Sequence, residues 1–121
     1  MGLASAEIDR LFDAALDAMA HGDSSAAVDD FKRIIAADPT HIEAKHGLIR
    51  ALEDAGRFDD ALHTVKELIA ADPDDVLAQT RLSMLYQHKG MIAEAEAAAA
   101  KAKILGWKQE LRGGIAAKND L

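Results

Sequence analysis

The sequence predicts an all-α solenoid of three helical hairpins, on two observations. The first is an internal period of 34 residues. IIAADP at 34–39 returns as LIAADP at 68–73, and Gly22, Gly56, Gly90 and Ala27, Ala61, Ala95 keep the same interval. The second is composition. Half of the 121 residues are hydrophobic but only 4% are aromatic, with two prolines and eight glycines. Ala, Leu and Ile carry most of the apolar content and form or tolerate helix.

The period divides the chain into units at about 8–41, 42–75 and 76–106. Each splits at its glycine into two helical patterns. In the middle unit Ala44, Leu48, Ala51, Leu52 and Ala55 form one apolar stripe. After Gly56, the residues Phe58, Ala61, Leu62, Val65, Leu68 and Ile69 form another. Two amphipathic helices joined by a short turn make a hairpin, and glycine accepts the positive φ that ends a helix. Asp-Pro then separates one hairpin from the next, because the residue before proline is pushed out of the α region. Asp38 and Asp72 are therefore expected to end their helices. Thr40 and Glu43 have capping-box spacing for the next helix. Asp74 or Asp75 suits the same place in the third unit.

The third unit differs from the others. Its second helix, AEAEAAAAKA, forms helix readily but buries little area. Gly106-Trp107 stands where the earlier units have Asp-Pro. A short capping helix at about 107–113 is expected to bring Trp107 and Leu111 over the alanine-rich helix. Gly113-Gly114 is expected to break it, leaving a tail at 114–121.

This arrangement resembles the tetratricopeptide repeat family over about residues 8–106. The matching residues are Gly22, Ala27, Phe31, Asp38 and Pro39 in the first repeat. In the second they are Ala44, Leu48, Gly56, Phe58, Ala61, Leu68, Asp72 and Pro73. In the third they are Ala78, Leu82, Tyr86, Gly90, Ala95 and Ala102. The resemblance implies a right-handed superhelix whose first helices line a concave groove. It also implies a small residue where the helices of a hairpin touch. Ala15 and Ser83 obey; Ile49 does not, so the second hairpin is expected to open slightly.

Several function classes are excluded by what the chain lacks. The net charge is −7, which repels phosphate backbones, so nucleic acid is not an expected partner. No cysteine is present, which removes thiol nucleophiles and Cys-ligated zinc. No apolar run spans a bilayer, so no membrane partner is expected. The start MGLASAEIDR lacks the head and core of a signal peptide, and Ala6 stands where a myristoylation signal wants Ser or Thr. The expected location is cytoplasmic. There is no Gly-rich phosphate loop, Gly-x-Ser-x-Gly or His-Glu-x-x-His. Asp29-Asp30 and Asp59-Asp60 are sequence neighbours that do not face each other on a helix. Glu43 and His46, one turn apart, could share an ion; a solvated face is the simpler reading of them. The chain is read as non-catalytic, with no cofactor and no metal.

Binding is expected on the faces of the first helices that remain after the core stripe is removed. The candidate residues are Phe12, Leu16 and Met19 in the first repeat. They are His46, Gly47 and Arg50 in the second, and Leu77, Arg81, Met84 and His88 in the third. Apolar sockets around two guanidinium groups suit a protein or peptide with bulky side chains and a carboxylate, Arg81 being the preferred carboxylate partner. Gly47 is expected to leave room for a ligand backbone. Some members of the family clamp carboxylates of chaperone tails with Lys, Asn and Arg. Here Arg81 matches that set, whereas Phe12, Leu16, Gly47 and Leu77 occupy the other places. The expected function is an adaptor or scaffold binding a partner segment in the groove. The alternative is a self-assembling structural unit forming homo-oligomers through groove or array ends.

Overall fold

The computed structural model describes the backbone of residues 3–119 and the side chains of residues 3–113. All six elements in it are α-helices: α1 (Ser5–Ala20), α2 (Ser24–Ala37), α3 (Ile42–Asp54), α4 (Phe58–Ala71), α5 (Val76–His88) and α6 (Ile92–Asn119). Two compact units are present, Met1–Thr64 and Val65–Leu121, with the division inside α4.

The turn inside each helix pair repeats atom for atom. Gly22, Gly56 and Gly90 have φ of 80°, 76° and 76°. Just beyond each glycine, the N–H groups of Asp23, Arg57 and Met91 donate back to the carbonyls of Ala18, Leu52 and Tyr86 at 2.8, 2.8 and 2.9 Å. The glycine N–H groups themselves donate to Met19, Glu53 and Gln87 at 3.1, 2.9 and 3.0 Å. This is the double hydrogen bond of a Schellman motif, and it satisfies carbonyls that a helix end leaves open.

The stops between pairs repeat as well. Asp38 ends α2 outside the helical region, at φ −139° and ψ 89°, as expected of a residue before proline. Its Oδ1 accepts the Thr40 N–H at 3.1 Å and the Thr40 hydroxyl at 2.6 Å. Asp72 likewise accepts the Asp74 N–H at 3.2 Å. Thr40 is thus occupied by Asp38, and the expected Thr40–Glu43 capping box does not form. His41 caps α3 instead, its Nδ1 accepting the Ala44 N–H at 3.1 Å. One period later Asp75 caps α5, accepting from Ala78 at 3.0 Å. The cap belongs to the same register position in both, and an imidazole nitrogen does in one what a carboxylate does in the other.

In Met1–Thr64, α2 packs on both α1 and α3. The fully buried Phe31, Ile34 and Val28 of α2 form the middle of this core, with Ala15, Ala27, Ile49 and Leu52. Ile49 is completely buried where the other repeats have Ala15 and Ser83. In Val65–Leu121, α5 packs on α6 over Leu85, Ala78, Ala95 and Ala98. The Ser83 hydroxyl donates across this pair to the Ala95 carbonyl at 2.8 Å. Ser83 and Ala95 are small and buried, so the helices approach closely there. Ala27, Ala61 and Ala95 are all buried, as the period predicts.

The end of the chain departs from expectation. No separate capping helix starts near residue 107. α6 runs unbroken from Ile92 through Gly106, Gly113 and Gly114 to Asn119. Among the described glycines only Gly22, Gly56 and Gly90 take a positive φ. A glycine inside a helix costs about 1 kcal/mol relative to alanine, which the surrounding Ala, Leu, Lys and Glu can offset. No Asp-Pro is present to force a stop. Trp107 and Leu111 therefore lie on α6 itself and do not cover it. They are 55% and 65% exposed. Of the expected tail, residues 114–119 continue the helix. Residues 120 and 121 lie outside the described residues.

Two expectations follow from these contacts. Ala95→Leu should overpack the α5–α6 contact and lower stability by about 1–3 kcal/mol in a denaturant melt; an unchanged midpoint would place Ala95 outside the contact. The second concerns Asp38, whose carboxyl is held below its ordinary 3.8, first by the Thr40 hydroxyl and then by the Thr40 N–H. A depressed carboxylate stabilises the fold above its unfolded pKa and loses that contribution as pH falls through the folded value. Thr40→Val should raise the Asp38 pKa toward 3.8 in carbon-detected NMR titration. No movement would show that the hydroxyl is not the main cause.

Candidate functional site

The helix register decides which side chains the first helix of each pair leaves outside. Leu16, Arg50 and Met84 occupy one register position, each 34 residues from the next. All three are exposed, Leu16 at 47% and Met84 at 51%. Leu77, at 51%, shares the Met84 face of α5 two turns earlier. Leu16, Leu77 and Met84 are large apolar side chains in water on helices whose opposite faces are buried. Ala15 lies beside Leu16, Ile49 beside Arg50, and Ser83 beside Met84, and all three are core residues.

The other expected site residues do not all share that exposure. Phe12 is half-buried, 5.9 Å from the Phe31 ring in an edge-on contact and 5.5 Å from the His41 ring. It ties α1 to the start of α3 as much as it offers a socket. Met19 and His46 are also half-buried, and His46 already has an interaction within the chain. Gly47 does not leave room for a ligand backbone. A Cβ built there would collide with the Phe31 ring, reaching 2.5 Å from its Cε1. Phe31 is fully buried and cannot swing away. Glycine is needed at this position for packing α3 onto α2.

Arg81 is likewise not the open guanidinium that the sequence reading preferred. It is half-buried and engaged within the chain; His88 is exposed and also engaged within the chain. Arg50 is the exposed guanidinium of the pair. Glu43 lies 3.6 Å from His41 Nδ1, at the cap of α3. Among the described residues no group of three or more His, Asp or Glu could hold a metal ion. No helix there is long and apolar enough to cross a membrane.

One feature of Val65–Leu121 escaped the sequence reading. A cleft of about 350 Å³ is lined by Ile69 of α4, Gln79, Leu82 and Tyr86 of α5, and Glu94, Ala97, Ala98 and Lys101 of α6. It opens on a different face of α5 from Leu77 and Met84. Gln79 is 2% exposed, and its Oε1 has no hydrogen-bond partner among the described residues. Lys66 stands 5.5 Å from the Tyr86 ring centroid at the same face. The signal available in the sequence was Gln79 itself, a polar residue at i+1 from the core Ala78.

A family model described as Tetratricopeptide repeat matches residues 18–85 and, overlapping, 54–104, so the chain belongs to the tetratricopeptide repeat family. Comparison with curated protein sequences yields no match. Among solved structures, MamA is 21% identical with a TM-score of 0.79, the alignment covering 85% of this chain and 60% of MamA. The chain thus spans about three fifths of that relative's length. The type III secretion translocator chaperone SycD of Yersinia enterocolitica is 22% identical with a TM-score of 0.79, covering 84% of this chain and 76% of SycD. PcrH, solved in complex with the chaperone binding region of PopB, is 18% identical with a TM-score of 0.83, covering 97% and 94%. At these identities the likeness establishes the fold.

The Gly47 geometry has a direct check. Gly47→Ala should lower stability by about 1–3 kcal/mol through the clash with Phe31. Equal denaturant midpoints for the variant and the parent would contradict the packing described above.

Proposed function

We propose that the chain is a non-catalytic interaction module that engages a partner protein through the outward faces of the first helices in each unit. The observation that carries this reading is the repeated exposure at Leu16, Arg50 and Met84. A period that buries its core positions in every repeat leaves this position open in every repeat. It fills the position with two large apolar side chains and one guanidinium. Leu77 and Met84 sit together on one face of α5, and contiguous exposed apolar patches mark interaction sites. PcrH, which has the same fold, supports the reading, since it is seen in complex with the chaperone binding region of PopB.

The residues set the chemistry of that segment. Leu16, Leu77 and Met84 suit apolar side chains, and methionine adapts to more than one shape. Arg50 suits a carboxylate, held by paired N–H donors in plane. Phe12, Met19 and His46 lie within about one helical turn of Leu16 or Arg50, and Gly47 acts through Phe31.

The test starts from the partner captured by the parent chain from native lysate. Leu16→Ser with Met84→Ser should weaken that partner by about 2 kcal/mol or more. Arg50→Glu should weaken it separately if a carboxylate is bound. The thermal melts should stay near the parent value, because all three side chains are exposed. Unchanged affinity in both variants would contradict the proposed face.

A further inference from the structure

α6 carries a second apolar face that the fold does not use. It is 28 residues long, against 13 for its hairpin partner α5. Ala95 and Ala98 pack inward and are 1% and 5% exposed. On the opposite side lie Ala93, Ala97, Ala100, Ile104, Trp107 and Leu111, and all six are exposed. Their spacings are four, three, four, three and four residues. That is the 3.5-residue alternation of a coiled-coil seam, sustained over about five helical turns. Ile104, Trp107 and Leu111 are 49%, 55% and 65% exposed, and Trp107 is the chain's single tryptophan.

The seam is graded in size. Its first three residues are alanines and its last three are large. Laid antiparallel on itself about a twofold axis at Ala102, it sets Ala93 opposite Leu111, Ala97 opposite Trp107 and Ala100 opposite Ile104. Every large side chain then meets a small one, as close helix packing requires. A parallel pairing would instead stack alanine on alanine and tryptophan on tryptophan. The antiparallel register also gives the indole a place to go. Ala97 forms part of the wall of the 350 Å³ apolar cleft, so the ring of a second copy's Trp107 comes to rest at the mouth of that cleft.

We propose that α6 is a self-association element, through which a second copy of this chain docks antiparallel with its Trp107 over Ala97. The seam lies on α6 and the proposed partner face on the first helices, so each stands or falls independently of the other. A helix pair of this length is at the small end of stable interfaces, and a dissociation constant of about micromolar or weaker is expected. The charges beside the seam make association salt-dependent in an unusual direction. In this register Glu94 meets Lys108 of the second copy. Lys101 and Lys103 meet their own counterparts near the axis, and Glu96 meets Glu110. Like pairs outnumber unlike ones, so cutting the Debye length from about 30 Å at 0.01 M to about 8 Å at 0.15 M salt should tighten the dimer.

The absence of native cysteine allows a clean test on the full chain. Sedimentation of the parent should show a concentration-dependent dimer, with tryptophan emission shifting to the blue as it forms. Ala97→Glu should weaken the dimer at least about tenfold. Its circular dichroism should be unchanged, since Ala97 is exposed in the monomer. For register, Ala93→Cys and Leu111→Cys chains are mixed under mild oxidation. A mixed disulfide should form, because Cα atoms about 4–7 Å apart can be bridged. Ala93→Cys alone should not cross-link, its copies being about 27 Å apart along the axis. A monomer at every concentration, a dimer without the mixed disulfide, or ready cross-linking of Ala93→Cys alone would each overturn the proposal.

Discussion

The left-handed glycine is the constraint on which the other repeated features rest. At Gly22, Gly56 and Gly90 the chain takes a positive φ, and two hydrogen bonds close the end of the first helix around it. A residue with a Cβ pays about 1–2 kcal/mol for that conformation, so glycine is the residue that makes the turn without strain. The turn starts the second helix two residues later in every repeat, at Ser24, Phe58 and Ile92. It therefore fixes the phase of that helix and brings Ala27, Ala61 and Ala95 to the same buried position. The tight Ser83–Ala95 contact is a consequence of that phase, because only small side chains lie where the helices of the pair are closest.

Within Met1–Thr64 a single side chain, Phe31, connects the parts that face inward and outward. Its ring fills the space over Gly47 and stands edge-on to Phe12. Phe12 in turn lies against His41, whose other task is to cap α3. One aromatic cluster thus links α1, α2 and the start of α3. The exposed Leu16 follows Phe12 by one turn and Arg50 follows Gly47 by three residues. The residues proposed to meet a partner are therefore carried on helices that packing already holds.

Much of this was legible because it depends on period and steric necessity. A positive-φ glycine, a proline stop and a buried alanine leave the same mark in sequence wherever they occur, and 34 residues separated each mark from its copy. Three of the misreadings turned on which neighbour claims a group. Thr40 has the spacing of a cap, but Asp38 two residues away takes both its N–H and its hydroxyl. Gly47 reads as open space until a ring from sixteen residues earlier fills it. Arg81 reads as an unclaimed charge, and is engaged within the chain. At the C-terminal end, Gly106 and Gly113-Gly114 carry the composition of a break. In a run of strong helix formers without proline, propagation of the helix wins. The alanine-rich stretch was read for what it fails to bury in its own hairpin. Its exposed side, with small residues followed by large ones at 3.5-residue spacing, was equally present in the sequence.

The central claim is that the first helices face the partner, because the repeat leaves one of their positions uncovered three times. Amide chemical-shift mapping of the labelled chain, titrated with the captured partner segment, tests it most directly. The account predicts perturbations clustered around Leu16, Arg50 and Met84 on α1, α3 and α5, with α2 nearly silent. Perturbations confined to α2 and α6 would contradict it.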